Sequence, residues 1–452
     1  MFPILWWVVL CLTPPVFAAS STVGSNVSEL ERDAASAFQR AEYDRVLKDW
    51  QSLPAEATPS KSFLRLALQS QLKLGHAEEA LALYDRLVPR EQQEDRALLR
   101  ALALGMITSH VRDPQEHIRI AAYSVLADLG IPETESILED GLLDSSPVVR
   151  GRALEGLGHA GLGAKSGAAR RALLDDMAAV RIAAINVLSE AKVADIVPRL
   201  IEVARTEDGP EGVFAYAGLY RLGKDDMLAD ITGAATLPDP ETRMAALGVL
   251  GQLKRPSTLA VLAQGVYDPE PSVRAFAAGA LGAFGQPGAA APLTHALGDE
   301  HARVRGAAAA SLGRLGIKDN RPLLQALTRD ASMQVRAQAV EGLLRLGDST
   351  ALLLAADLAR HPDPSVRAAA AQALSASPDK EAVAILQTLL QDQQPQPRLF
   401  AAKALGKTPQ SVLPLLKKAL HDSDTAVRVT AAGSLLQHLD RSAKPASRGR
   451  KG

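Results

Sequence analysis

The sequence predicts an all-α fold: a right-handed α-solenoid of about eleven 31-residue helical hairpins, preceded by a short helical N-terminal segment. Three observations predict it. An anchor Arg recurs at 119, 150, 181, 243, 274, 305, 336, 367, 398 and 428, with Gly212 where an Arg is due. Every anchor is followed by Ala three residues later and by Leu seven later, two unbroken columns over eleven units. Hydrophobic residues make up 47% of the chain but aromatics only 4%, a balance of Ala and Leu that favours close-packed helices. The units are numbered 1 (Arg119) to 11 (Arg428), and positions are counted from the anchor.

The second helix of each unit follows from spacing. Val or Ile stands at −1 in most units, so apolar residues fall at −1, +3, +7 and often +10, a helical period. Its start is marked by Pro147, Pro240, Pro271, Pro364 and Pro395 at −3, preceded by Ser146, Asp239 or Asp363 in three units, the pattern of an N-cap followed by Pro at the first helical position. A first helix precedes it, as in residues 322–330 and 414–422. Neither helix can bury its apolar face alone, so neighbouring units must stack on a shared core.

An Asp stands six before the anchor in eight units: 113, 144, 175, 268, 299, 330, 392 and 422. Carboxylates spread one per unit do not converge as a metal or catalytic set would. The pattern predicts a structural ladder in which each Asp ties the turn between helices and accepts from an Arg of its own or the adjacent unit, as in Asp144, Arg150, Asp268, Arg274, Asp299, Arg305, Asp330 and Arg336. Unit 4 has Thr206 at the Asp position and Gly212 at the anchor, and is expected to be a joint.

The motif Asp-x-x-x-x-Val-Arg-x-x-Ala-x-x-x-Leu-Gly, at Asp268 to Gly282 and Asp299 to Gly313, resembles the HEAT-like repeat of the phycobilisome-lyase type. The resemblance covers about residues 97–440 and implies a protein-recognition scaffold. The same family includes chromophore lyases and deoxyhypusine hydroxylase. The hydroxylase binds iron through His-Glu dipeptides, of which this chain has none, and no lyase residue can be carried over. Residues 74–87 resemble the turn and helix of a tetratricopeptide repeat, so 31–96 is expected to be a helical, tetratricopeptide-like segment.

The ends are read separately. Residues 1–19 join an apolar run to small residues at Ala18 and Ala19, the pattern of a signal peptide too short to span a bilayer, which places the protein in the periplasm or outside the cell. Cys11, the only cysteine, lies within it. Residues 20–30 are expected to be a linker and 441–452 a basic disordered tail.

A net charge of −1 supplies no field for nucleic acid, and no stable membrane insertion is expected once the signal is cleaved. The nine His are scattered over different units, so neither a metal nor another cofactor is expected. The expected function is therefore that of an exported, non-catalytic scaffold or adaptor binding a protein or peptide on its concave face, the alternative being an enzyme or enzyme-associated subunit of the lyase type. Helix geometry leaves columns +2, +5 and +9 for that face. The candidate contacts are Phe214, Ala217, Gly248, Phe276, Gly279, Ala310, Arg314 and Phe400.

Overall fold

The computed structural model describes residues 19–90, 94–409 and 411–443; most of the signal segment and the tail beyond 443 lie outside these residues. All regular secondary structure among them is helical. The chain divides into two compact units, residues 1–105 and 106–452.

The first compact unit contains helices Ala19–Gln39, Tyr43–Gln51, Lys61–Lys73 and Ala77–Leu87. Residues 20–30, expected as a linker, belong instead to the first of these. Ala34, Ala37, Val46 and Phe63 form its core, with the Trp50 ring edge-on to Phe63 and the Arg86 guanidinium over Trp50. Ser60 caps the third helix by accepting from the Phe63 amide. Gly75 makes the turn into the fourth with φ of +81°, a left-handed conformation that favours glycine. Helix Arg96–Thr108 contains the boundary between the two compact units.

In the second compact unit the anchor-bearing helices are Glu116–Leu129, Pro147–His159, Ala178–Glu190, Pro210–Arg221, Pro240–Leu253, Pro271–Phe284, Ala302–Leu315, Met333–Arg345, Pro364–Leu374, Pro395–Lys407 and Thr425–Ala443. Each packs against its predecessor and successor, forming an inner layer, while shorter helices such as Arg321–Leu327 and Leu413–Ala419 lie outside. Asp239 and Asp363 cap their helices, accepting from the Thr242 and Ser365 amides. Ser146, expected to cap in the same way, does not: its own amide donates to Asp144. All eleven +3 alanines are fully buried, and no +7 leucine is more than 2% exposed.

The small residues at +8 and +6 let the inner helices approach closely. A methyl group built on Gly251 would lie 3.2 Å from Ala280 Cβ, and one on Gly282 2.7 Å from Ser311 Cβ. The last inner helix then packs against the first, so this compact unit closes into a ring rather than an open superhelix. The seam uses the same device: a methyl on Gly433 would lie 2.3 Å from Val125 Cγ1. Gly433 is at +5 rather than +8, an offset of about one helical turn. Lys403 Nζ and Asp128 Oδ2, 3.2 Å apart, bridge the same seam.

The ladder runs between adjacent units. Arg119, Arg150, Arg243, Arg274, Arg305, Arg367 and Arg398 each donate through Nε and Nη2 to both oxygens of the next unit's Asp, with Nε–O distances of 2.6–2.8 Å. The Nη1 of each donates to the carbonyl six residues back, in its own turn. The Asp Oδ1 also accepts the backbone amide two residues on, as Asp299 does from His301 and Asp330 from Ser332. Three anchor arginines depart from this, among them Arg428 of the last unit, whose Nη1 donates to the Asp422 carbonyl and whose Nη2 donates to Thr425 Oγ1. Arg336, expected as a rung, bonds only the Asp330 carbonyl, because His361 stands where the next Asp is due. In unit 4 Glu211 replaces the missing Asp and accepts from Arg181. The Glu207 carbonyl lies 1.9 Å from where a Gly212 Cβ would be, so this turn excludes any anchor side chain. The expected joint therefore keeps its rung to unit 3 and lacks one to unit 5.

Truncating the fully buried Leu281 or Leu312 to Ala should cost ~2–5 kcal/mol in a denaturant titration. Arg305→Ala should cost ~3–5 kcal/mol because it strands the Asp330 carboxylate, whereas Arg336→Ala should cost about 1 kcal/mol. Equal losses at the two arginines would contradict the rung assignment.

The rungs also predict an acid limb. The hydrogen bond from Arg305 holds Asp330 below the usual carboxylate range against the cost of burial, and Arg367 does the same for Asp392. Carboxylates with depressed folded pKa values stabilise the fold fully above their unfolded value of ~4 and lose that contribution as pH falls through the folded value. Stability should hold down to about pH 5 and decline below about pH 4. A doubly substituted Asp330→Asn, Asp392→Asn chain should show a shallower decline in the same titration.

Candidate functional site

At 100° per residue, columns +2, +5 and +9 of the inner helices point away from the buried arc and into the ring. The structure distributes the candidate residues unevenly along this face. Phe276 is 44% exposed, and its ring stands over Gly248, where a methyl would lie 3.0 Å from Cε1. Gly279 faces open space, with nothing within 4 Å of a built methyl. Arg314 is exposed and donates through Nη2 to Ser311 Oγ at 2.7 Å. Phe400 is half-buried.

Three candidates are not free contacts. Ala217 is fully buried and Ala310 nearly so, while Phe214 packs against the core around Leu200 and Leu219. Ala310 belongs to unit 7, Ala217 and Phe214 to unit 4. Arg221 lies across the same place, donating to Asn186 of unit 3 at 2.9 Å and to Gln252 of unit 5 at 3.3 Å. Its guanidinium, held below its ordinary pKa by burial against the opposing charge of Glu190, ties unit 4 on the inner face to unit 5, the neighbour to which it has no rung, as well as to unit 3.

Phe276 and Gly279 lie in a groove of about 560 Å³ that crosses units 5 to 8, with Gly248, Gln252, Arg303 and Gln338 on its walls. Sequence reasoning missed Arg303, at −2 of unit 7, and Gln338, at +2 of unit 8. Position −2 falls within the same arc as +2, +5 and +9 on a helical wheel, so the signal for Arg303 was present in the period. A second cavity of about 450 Å³ lies at the seam, where Asp128, His159, Lys403 and Lys407 meet an apolar wall that includes Val125 and Leu399. His159 is engaged there through Nδ1, 2.7 Å from the Ala127 carbonyl oxygen.

Among the described residues no three His, Cys, Asp or Glu side chains are placed to hold a metal ion. No described helix is long and apolar enough to cross a membrane. The inner face thus presents shape, an exposed aromatic ring and scattered charge, a combination suited to contact with another chain.

Comparison with known proteins agrees with this architecture. The family of HEAT repeats matches residues 259–322, 320–398 and 385–446, and the chain is a HEAT-like repeat protein. No curated protein sequence matches it. Among solved structures it is similar to the CpcE–CpcF complex of phycocyanin lyase from Nostoc, at 21% identity over 55% of this chain and 94% of that one, with a TM-score of 0.37. It is similar to human deoxyhypusine hydroxylase at 21% identity over 54% and 97% of the two chains, with a TM-score of 0.26. Kap121p bound to Nup53p matches at 14% identity over 94% of this chain and 51% of its own, with a TM-score of 0.36. At these identities the likeness is one of repeated helical hairpins and transfers no activity.

Proposed function

We propose that this HEAT-like repeat ring is an exported, non-catalytic scaffold that binds a protein or peptide segment on its inner face. The observation that carries the reading is Phe276, a large apolar side chain left 44% exposed over a floor of glycine and alanine. An exposed aromatic ring beside a smooth floor, with polar side chains around it, has the composition of an interface core and rim. Export is supported by the apolar run at residues 1–12 and the small residues that follow it.

Capture of partners from an extracellular or periplasmic extract by the full chain tests this. Phe276→Ser and Gly279→Glu should both keep the unfolding midpoint close to that of the parent, since one side chain is half in water and the other position is open. Both should lose the captured partner. Unfolding of both variants would make the stripe core, and retained capture by both would remove the groove.

A further inference from the structure

We infer that the ring opens at the step between units 8 and 9, a joint that protonation of His361 loosens. The rungs join units 1 to 4 in succession through Arg119, Arg150 and Arg181, units 5 to 8 through Arg243, Arg274 and Arg305, and units 9 to 11 through Arg367 and Arg398. These are three blocks. At the seam the first and last blocks are tied by Lys403 and Asp128. Across the step from 4 to 5 Arg221 donates to Gln252, and the Arg255 guanidinium lies over the Tyr220 ring at 5.5 Å. The step from 8 to 9 has no such substitute. Among the described residues no hydrogen bond or ion pair joins helix Met333–Arg345 or the turn before it to helix Pro364–Leu374 or its turn, and Arg345 is paired within its own helix, with Glu341. Packing differs there too: the buried Leu344 stands at +8, where units 5, 6 and 7 have Gly251, Gly282 and Gly313. A methyl on Gly313 would lie 2.3 Å from Gly342 Cα, so the preceding step depends on the absence of the side chain that this one accommodates.

At the other end of the helices a tie persists. Asp348, in the turn that leads out of helix Met333–Arg345, accepts from Gln325 Nε2 at 3.2 Å and lies 3.4 Å from Arg321 Nε. The step is thus pinned at one rim and unpinned at the other, the arrangement of a hinge. His361 holds the turn on the unpinned side. It takes the Asp position of unit 9 and does half of the work of that Asp, its Nδ1 accepting the Asp363 amide at 3.1 Å. A backbone N–H only donates, so the bond requires Nδ1 without a proton, and the neutral ring carries its proton on Nε2. A second proton removes the acceptor. It also sets a positive ring where the other blocks put a carboxylate for the preceding arginine, here Arg336, which bonds its own turn instead. The other charged groups beside the imidazole are Asp363, Arg367, whose Nη1 donates to the His361 carbonyl, and Arg360, paired with Asp357. Imidazole changes charge between about pH 5 and about pH 8, above the range in which the rung carboxylates are protonated. Loosening the joint frees the rim beside it and leaves the groove intact, because the groove crosses units 5 to 8, a single unbroken block.

The test follows amide hydrogen exchange in the full chain by mass spectrometry, with each rate divided by the intrinsic rate at the same pH. At about pH 7.5 residues 361–368 should be protected about tenfold less than the matching residues 299–306 of unit 7 and 392–399 of unit 10. Lowering the pH to about 5.5 should reduce protection of 361–368 about threefold further, the loss of one hydrogen bond, and leave the other two segments unchanged. His361→Asp supplies the carboxylate that Arg336 lacks, so it should raise protection to that of units 7 and 10 and abolish the pH response. His361→Asn offers an acceptor that never changes charge. It should keep the parent's protection at about pH 7.5 and lose the pH response. Circular dichroism on each variant confirms that the fold persists. Equal protection of the three segments at about pH 7.5 overturns the joint. A parent without a pH response at 361–368, or a response that survives in His361→Asn, overturns the role of His361.

Discussion

The arginine that reaches from one inter-helix turn to the aspartate of the next fixes the step between units, and the shape of the ring depends on that step. Each rung uses all three guanidinium nitrogens, two on the next unit's carboxylate and one on its own turn. The geometry leaves little freedom to slide or twist one unit against its neighbour. Repeated with the same distances at seven steps, it imposes nearly the same rotation at each, and eleven units averaging about 33° return the chain to its start. At usual helix spacings of ~8–10 Å, eleven inner helices surround a space wide enough for one further helix.

Closure places a demand on the inner face that an open superhelix would not. The inner helices must approach without side chains forcing them apart, which the mostly small residues at +6 and +8 permit, and the floor they leave at +5 is smooth in units 5 to 7, at Gly248, Gly279 and Ala310. The groove is thus a by-product of the packing that makes the ring. Function enters where the pattern is broken: an aromatic ring at +2 in Phe276, and an arginine at −2 of unit 7 that serves no rung. Where the ladder itself breaks, at unit 4, Glu211 and Arg221 restore connection by other routes.

Much of this was legible in the residues. The Ala and Leu columns specify the buried arc of every inner helix, and the Asp and Arg columns foretell the ladder, because each is repeated too regularly for local context to override it. The direction of the rungs was not legible, since an Asp six residues before an Arg can serve its own turn or its neighbour's with equal sequence support. Closure was invisible for a similar reason: a 31-residue period states that units stack but not the angle between them, and the contact of Gly433 with Val125 joins the two ends of the array. The candidate contacts were half legible. Phe276 and Phe214 occupy the same column, yet one stands at the surface and the other packs against the core, a difference that the column does not encode.

Ring closure is the central claim, and a disulfide across the seam tests it most directly. A Cβ at position 433 would lie 3.5 Å from Val125 Cβ, within the range that a disulfide spans. The full chain with Val125→Cys and Gly433→Cys, and with Cys11→Ser to remove the natural thiol, should cross-link under mild oxidation, giving linked peptides by mass spectrometry and a monomer of altered mobility on a non-reducing gel. Thiols at 125 and 433 that both stay free and open to alkylation in the folded, oxidised protein would show that the ends of the array do not meet.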